Sequence, residues 1–439
     1  MAGGTYSVQN KVRPGVFINF ESEGQSLATL GTRGITALQL VLPWGPAKEI
    51  IEVNAGEDVF ERLGYDITAS QLLLIKEALK RAKTVLLYRL NAGVKATAAA
   101  GNLTATAKYG GLRGNDLKII VQANIDDPAK FDVRTLLSGV QVDSQTVANI
   151  AGLTPNKWVT WSGAGALTAT AGTSLAGGTD GAAVVNADHT DFLAALELYY
   201  FNTVAYVGTD NTLKSVYAAF AKRLRDDEGR KIQLVVENYP AADYEGVISV
   251  KNGVVLADGT KLTADQAVAW VAGATAAAAA NESLTYTAYD EAVDANPRYT
   301  NSQTITALNN GEFLFTMNKG RAVVEQDINT FKSFTPTKGK TFRKNRSLRA
   351  LDSLANDWKD TFESYYIGKV SNNADGRNLF RKECVKIAEI YQGIGAIQNF
   401  DALTDITVTL GDELDAVFVG SSVQPVDSIE KIYMKVRVQ

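Results

Sequence analysis

The sequence contains very few of the residues on which disulfides, histidine metal sites and catalysis by Ser-His-Asp or Cys-His groups depend. Its 439 residues include one cysteine, Cys384, and one histidine, His189. A lone cysteine cannot form an intramolecular disulfide, and its position on the apolar side of a predicted helix favours a small buried hydrophobic residue over a nucleophile. A lone histidine excludes metal sites built on histidine pairs. His189 lies between Asp188 and Thr190, two candidate helix caps, so we predict a structural role for it.

Motifs for nucleotide or metal binding are also absent. No Gly-x-x-x-x-Gly-Lys-Ser/Thr sequence occurs, and the glycines of residues 163–166 do not form a dinucleotide-binding motif, because Thr168 stands where a third glycine is needed. The acidic residues Asp226–Glu228 precede Gly229, an arrangement more typical of a solvated turn than of a divalent cation site. We therefore expect a protein that is not an enzyme, with no catalytic residues, no cofactor and no metal.

Long apolar runs and a large excess of either charge are missing too. The formal net charge is -4, with 46% hydrophobic and 21% charged residues. These values are typical of a globular protein, and they argue against a nucleic-acid or membrane-surface binder, whose surface would be basic. No apolar run approaches the roughly 20 residues that a membrane-spanning helix needs. The first residues lack the basic and apolar segments of a secretory signal, so we expect synthesis and assembly in the cytoplasm.

Hydrophobic periodicity indicates an α/β and α+β multidomain fold. An αβ pattern is interrupted by a stretch rich in Ala, Thr and Gly with short alternating strands, which is typical of a small all-β domain. Because the flanking segments match each other better than they match this stretch, we predict a domain insertion. The predicted parts are an N-terminal arm (1–22), a discontinuous αβ core domain (23–92 and 182–308), an inserted β domain (93–181), a C-terminal α+β domain (309–420) and a C-terminal arm strand (421–439).

The last third of the chain has the clearest pattern. Apolar residues recur every three or four positions in 347–367 and 375–393, which predicts two amphipathic helices that pack together. Residues 406–410 and 413–419 predict strands. Residues 431–439 then alternate strictly between apolar and polar side chains.

This terminal strand must satisfy its backbone hydrogen bonds somewhere. It could pair within its own domain, or it could add to a sheet of another copy of the chain. A second candidate arm follows Pro14 near the other end of the chain. The candidate interface residues of the two arms are Val16, Phe17, Ile18, Ile432, Met434, Val436 and Val438.

Short segments distributed along nearly the whole chain form an ordered set. They are Arg13–Ile18, Gln71–Lys83, Glu325–Phe331, Phe342–Arg346, Ile367–Val370, Asn373–Arg377, Gly395–Phe400 and Pro425–Met434. In this order they resemble contractile phage tail sheath proteins, specifically the compact sheaths of phages, prophages and phage-like elements of Gram-positive hosts.

The resemblance implies a virion structural protein that is made in the host cytoplasm and polymerises helically around the tail tube of a phage or tailocin. Such a sheath contracts by releasing energy stored in its lattice, and it drives the tube through the host cell envelope. The implied partners are other copies of the chain, the tail tube protein, and the baseplate and tail terminator proteins. No nucleic acid and no membrane is expected among them.

A run of basic residues lies between Asp327 and Asp352, where no acidic residue occurs. Like charges at this density repel one another unless groups of opposite charge neutralise them. A solvated surface, a nucleic acid and an acidic surface on a tube or sheath subunit are all compatible with the run. The candidate contact residues for a tube protein or a neighbouring subunit are Lys340, Arg343, Lys344 and Arg346.

A function of another class also remains open from the residues alone. The all-β stretch 93–181 could belong to an adhesin or a glycan-binding structural module. That hypothesis predicts a monomer or small ring with an aromatic-lined groove, and Trp158 and Trp161 are the tryptophans of this stretch.

Overall fold

The computed structural model describes residues 33–438 and, near the N terminus, the backbone of two short strands. These strands, β1 (Ala2–Gly4) and β2 (Gly15–Phe17), pair in parallel. Of the predicted N-terminal arm residues, Val16 and Phe17 belong to β2, whereas Ile18 lies outside the described residues, as does the final residue Gln439.

The α/β unit begins with elements that are largely buried. Strand β5 is buried at every position and β3 at all but its first, so these strands lie inside a sheet that is covered on both faces. The elements of this first part are β3 (Ile35–Leu40), β4 (Ile50–Asn54), α1 (Phe60–Leu63), α2 (Leu73–Leu79) and β5 (Thr84–Arg89).

A β-sandwich follows, at the place where we predicted a small all-β domain. Four-stranded and three-stranded sheets, in the orders β10-β9-β8-β12 and β11-β7-β6, are antiparallel throughout. Alternate residues of β7 and β8 are buried, which places one face of each sheet in a shared core. The strands are β6 (Thr97–Ala100), β7 (Leu103–Ala107), β8 (Leu117–Ala123), β9 (Phe131–Leu137), β10 (Val140–Val147), β11 (Val159–Gly163) and β12 (Thr170–Ser174).

The sandwich leaves and rejoins the α/β unit at adjacent points. Val94 and Thr179 exchange backbone hydrogen bonds of 2.7 and 3.2 Å. The two units nevertheless share packing, because Trp44 of the α/β unit is fully buried and stacks on Trp158 of the sandwich, with ring centroids 5.8 Å apart.

The second part of the α/β unit completes the central sheet. Its order is β18-β15-β14-β13-β3-β5-β4, with β4 the one antiparallel strand. Helices α2 and α5 cover one face, while α3 and α4 cover the other. The elements are α3 (Asn186–Leu196), β13 (Thr203–Ala205), α4 (Asn211–Asp226), β14 (Gln233–Glu237), β15 (Val247–Val250), β16 (Gly253–Leu256), α5 (Ala264–Ala277), β17 (Ala292–Asn296), α6 (Asn301–Asn309), β18 (Glu312–Phe313), β19 (Phe315–Asn318) and β20 (Arg321–Val324).

The boundary predicted at residue 309 falls inside this packed unit. Strand β18 hydrogen-bonds to β15 at the end of the central sheet. Phe313, Phe315 and Val324 are fully buried in the same core as α5. Residues 312–324 are therefore part of the α/β unit, because their apolar side chains complete its core.

The C-terminal unit is built on the two predicted helices, which the structure confirms as α7 (Asn345–Tyr365) and α8 (Ala374–Gly393). Their facing apolar residues form one core that includes Leu354, Cys384 and Ile387. The strand predicted at 406–410 is present, whereas the one predicted at 413–419 spans 417–421. The strands are β21 (Ile397–Gln398), β22 (Ile406–Leu410), β23 (Val417–Ser421) and β24 (Gln424–Pro425), paired as β21-β24 and β22-β23.

Buried polar contacts fix α7 on the α/β unit. Arg225 of α4 makes a two-pronged ion pair with Asp352, at 2.7 and 2.9 Å. Arg33 donates to Ser353 Oγ at 3.1 Å and to the carbonyl of Ala278 at 2.9 Å. Among the described residues, no helix is long and apolar enough to cross a membrane.

Candidate functional site

The C-terminal segment of residues 431–438 is exposed along its whole length. It forms no strand with any described residue, so the pairing within its own domain is not seen for residues 431–438 in the described part of the chain. Exposure of the alternating apolar side chains is 75% for Ile432, 82% for Met434, 78% for Val436 and 92% for Val438. We call this segment the free arm.

The residues that precede the free arm are attached to the rest of the chain, although we predicted an arm from residue 421 onward. Strand β24 pairs with β21, and the Val426 amide donates to the carbonyl of Ala396 at 3.0 Å. Glu430 is the last attached residue. Its carboxylate accepts hydrogen bonds from Thr285 Oγ1 at 2.9 Å, from Gln326 Nε2 at 2.6 Å and from Lys344 Nζ.

These contacts also determine the charge state of Glu430. Burial raises the pKa of this carboxyl, but the hydrogen bonds from Lys344, Gln326 and Thr285 lower it, and the net result is a pKa below the ordinary glutamate value. The carboxylate is therefore held ionised at neutral pH, with Asp427 as a second, more distant acidic group 3.8 Å from Lys344 Nζ.

The basic run finds most of its partners within the chain. Lys344 binds Glu430, and Arg346 donates to the carbonyls of Val426 and, at 2.8 Å, Asn281. Arg343 donates to the carbonyl of Leu308. The expectation that these three residues face a partner is therefore not supported by their placement. Their spacing in the sequence could not reveal partners so far along the chain.

Lys340 differs from the other basic candidates. Its side chain is exposed, and it makes no hydrogen bond or ion pair with the described part of the chain. It is therefore the member of the candidate set that remains available to an external acidic surface.

The β22–β23 hairpin offers unpaired backbone next to exposed apolar side chains. Neither outer edge pairs with another strand among residues 33–438. Leu410 and Phe418 are 48% and 64% exposed, and Leu414 at the turn is 87% exposed. A two-stranded ribbon of this kind is marginal by itself, and open edges accept further strands.

A cavity of about 560 Å³ lies between the end of α7, the start of α8 and this hairpin. Its lining includes Phe362, Phe380 and Val417. The hydroxyl of Tyr366, also in the lining, is buried and has no hydrogen-bond partner among the described residues, and burial raises the pKa of Tyr366 to about 12.

The two residues with the most reactive side chains, Cys384 and His189, are buried. Cys384 is 2% exposed, and burial raises the pKa of its thiol to about 12. His189 is buried, and its Nδ1 lies 3.0 Å from the hydroxyl of Tyr217. The N-cap residue of α3 is Val185, so the prediction of Asp188 or Thr190 as the cap is wrong. Asp188 nevertheless has a role in the first turn, because its carboxylate accepts a hydrogen bond of 2.8 Å from the Val185 amide.

The tryptophans of the sandwich do not line an exposed aromatic groove. Trp158 is 2% exposed and packs in the core of the sandwich. Trp161 is half-buried, and its indole donates to the carbonyl of Thr154 at 2.9 Å. The adhesin or glycan-binding hypothesis thus finds no support in the feature that it requires.

Family models for phage tail sheath proteins match nearly the whole chain. The tail sheath protein Gp18 domain III N-terminal region matches residues 33–90, and the phage tail sheath protein beta-sandwich domain matches 91–180. The phage tail sheath protein central domain matches 182–330, and the phage tail sheath C-terminal domain matches 337–439.

Individual relatives agree with these matches. The phage-like element PBSX protein XkdK of Bacillus subtilis is 40% identical, and the alignment covers 100% of both chains. The crystal structure of a sheath tail protein from Desulfitobacterium hafniense is 60% identical, with a TM-score of 0.88 over 97% of this chain and 100% of that chain. The anti-feeding prophage helical sheath in its contracted state has the same fold, at 13% identity and a TM-score of 0.57 over 97% of this chain and 99% of that chain. The chain therefore belongs to the phage tail sheath family.

Proposed function

We propose that this chain is the structural subunit of a contractile tail sheath. Copies polymerise helically around a tail tube in the virion, and release of energy stored in that lattice shortens the polymer and drives the tube through the host envelope. The subunit acts as a mechanical part and not as an enzyme. Membership of the tail sheath family supports this role, as does the contracted helical sheath formed by the anti-feeding prophage relative.

The free arm is the observation that carries the proposal. Ile432, Met434, Val436 and Val438 are each at least 75% exposed in the single chain. Burial of such a side chain on a neighbour contributes about 1.5–3 kcal/mol, and each main-chain hydrogen bond contributes about 0.5–1.5 kcal/mol. Ordering the segment costs about 1–2 kcal/mol per residue. The net attraction is modest at one contact, but the polymer repeats it at every subunit.

The β22–β23 hairpin is the acceptor that we propose for the arm of another copy. Its unpaired edges supply backbone donors and acceptors, while Leu410 and Phe418 supply apolar surface beside them. Strand addition at an open edge combines main-chain hydrogen bonds with side-chain register. Because donor and acceptor are different surfaces, the contact is head-to-tail and extends into an open helix when its rotation does not close.

The remaining partners follow from the same role. The tail tube protein lies inside the polymer, and baseplate and tail terminator proteins lie at its ends. Lys340, exposed and unpaired among the described residues, is the residue that we propose for contact with an acidic surface of the tube or of a neighbouring subunit. Such a contact should weaken as salt screens it.

Truncation of the arm tests the proposal. Removal of residues 433–439 should leave the melting temperature of the isolated chain nearly unchanged, because residues 433–438 are exposed in the described structure. It should also abolish or shorten the polymers seen by electron microscopy. Two full-length variants distinguish the loss of the arm's apolar surface from the loss of its chain length. Serines at Ile432, Met434, Val436 and Val438 should prevent polymerisation, whereas serines at Tyr433, Lys435 and Arg437 should have a smaller effect. Normal polymers from the truncated chain would refute the proposal, and so would loss of its fold.

A further inference from the structure

The attachment of Glu430 has the character of a built site. Its carboxylate receives hydrogen bonds from one cation and two neutral donors of distant segments, and a longer one of 3.5 Å from Ser428 two residues before it. Its side chain is 11% exposed. Its neighbours in sequence are exposed, since Ile429 is 89% exposed and every described residue after Glu430 is exposed. Glu430 thus contacts the body of the protein through its side chain, although the residues next to it in the sequence are exposed.

The donors are held in place by a buried network under them. Thr285 Oγ1, which donates to Glu430, itself accepts from the Asp327 amide at 3.0 Å. The Asp327 carboxylate is 1% exposed and accepts from Leu284 N at 3.0 Å and from Asn345 Nδ2 at 2.9 Å. The Asp327 carboxylate therefore holds Leu284, which precedes Thr285, and Asn345, which follows Lys344, and this network preorganises the site.

We propose that Glu430 is the positioning residue of the C-terminal arm, and that Thr285, Gln326 and Lys344 form a socket that fixes the point at which the arm leaves the subunit. The socket joins segments of the central and C-terminal family domains, since Thr285 and Gln326 belong to the former and Lys344 to the latter. A pull on the arm by a neighbouring copy is then transmitted to the α/β unit as well as to the C-terminal helices.

The chemistry of the socket is specific for a carboxylate. All three of its groups act as donors toward Glu430, and Lys344 carries a positive charge. A glutamine at this position would lose the ion pair, and its amide nitrogen would face donors. Because two donors that face each other cannot form a hydrogen bond, buried polar groups would then lack partners, and the glutamine side chain should move out of the socket.

The consequence for assembly rests on the proposed function. When the socket is lost together with the contact of Lys344 to Asp427, the next attachment toward the N terminus is Val426. Its carbonyl accepts from Arg346, and its amide donates a hydrogen bond to the carbonyl of Ala396. The tether then comprises residues 427–438 instead of 431–438, so it is one and a half times as long. The effective concentration of the arm at a neighbour falls with about the 3/2 power of tether length, so the critical concentration for polymerisation should rise by about two-fold or more.

Limited trypsin digestion of the isolated chain tests the socket without any polymer. The bond after Lys431 adjoins the socket, whereas the bond after Lys435 lies in the free arm and serves as an internal control. Loss of a charged hydrogen bond increases the population of the detached state, which is the state that trypsin cleaves, so Lys344→Met and Glu430→Gln should raise the ratio of cleavage at Lys431 to cleavage at Lys435 by about ten-fold or more. Lys344→Met leaves the cleaved sequence unchanged, and synthetic peptides of residues 424–438 correct for the effect of the glutamine.

Lys340→Met is the matched control, because it removes a charge from the same basic run without touching the arm. It should leave the cleavage ratio unchanged. An unchanged ratio in both socket variants, each with a wild-type melting temperature, would overturn the socket. A raised ratio with an unchanged critical concentration would overturn its role in positioning.

The two proposals fail in different experiments. If the wild-type chain forms no polymer, the proposed function fails, and the cleavage ratio alone then decides whether the socket holds the arm. If the wild type polymerises and the socket variants show both changes, the positioning role is supported.

Discussion

The ion pair between Arg225 of α4 and Asp352 of α7 should determine how firmly the C-terminal helices are attached to the α/β unit. Side-chain exposure is 3% for Arg225 and 11% for Asp352. Burial lowers the pKa of Arg225, but the adjacent Asp352 carboxylate outweighs it, so the pKa is raised above the ordinary arginine value. The two side chains are thus each other's counter-charge in a contact from which water is largely excluded.

Breaking this pair on one side should be costly. Arg225→Met leaves a buried carboxylate without its cation, and the loss of one partner of a buried pair typically destabilises a protein by about 3–5 kcal/mol. The double variant Arg225→Met/Asp352→Leu removes both charges and should recover most of this loss. The free energy of unfolding from urea titration measures the difference. A slope of about 3 kcal/mol/M converts the single-variant loss into a midpoint shift of about 1 M or more.

The pair of Arg298 and Asp294 provides the control, because it has the same two-pronged geometry at 2.7 and 2.8 Å on the surface. Arg298 is 61% exposed, so Arg298→Met should leave the urea midpoint unchanged. The reasoning is refuted if Arg225→Met changes stability by less than about 1 kcal/mol, or if the double variant is as unstable as the single one.

Three further outcomes follow from packing. Cys384, with a thiol pKa of about 12, should not react with Ellman's reagent at pH 8 until urea unfolds the chain; rapid reaction in the native state would contradict its burial. Gly273→Ala would place a Cβ 2.3 Å from a carbonyl oxygen of α2 and should cost about 1–3 kcal/mol by thermal melting, whereas Gly393→Ala, with open space around it, should not destabilise the chain. Replacing residues 94–178 with a Gly/Ser linker should give a soluble chain with a cooperative melt only when Trp44→Ser removes the indole that the sandwich covers; precipitation of this double variant would contradict the insertion.

Much of the local structure could be predicted because it depends on neighbours in the sequence. The apolar stripes of α7 and α8 recur every three or four residues, so they identified both helices to within two residues at each end. The alternation in β7 and β8 likewise indicated an all-β domain, although it did not show that the strands divide into two packed sheets. The multidomain α/β and α+β class followed from the order of these patterns.

For helix α5, composition predicts the helix but not the element against which it packs. Its alanine-rich sequence predicts a helix but gives no sign of a partner. In the structure, residues 267–276 are buried without exception, and Gly273 lets α5 approach the backbone of α2. Small residues carry no periodic stripe, so only the packed fold shows which element they allow to come close.

The sequence by itself determined the helices α7 and α8, the all-β character of the inserted domain, the alternation of the free arm and the order of family segments, since each is set by spacing along the chain. Tertiary structure alone decided which charges meet. Lys344 and Glu430 lie 86 positions apart, and Arg225 and Asp352 lie 127 apart. Their attraction falls off over a few ångströms and does not depend on sequence separation, so a basic run shows that partners are needed but does not identify them.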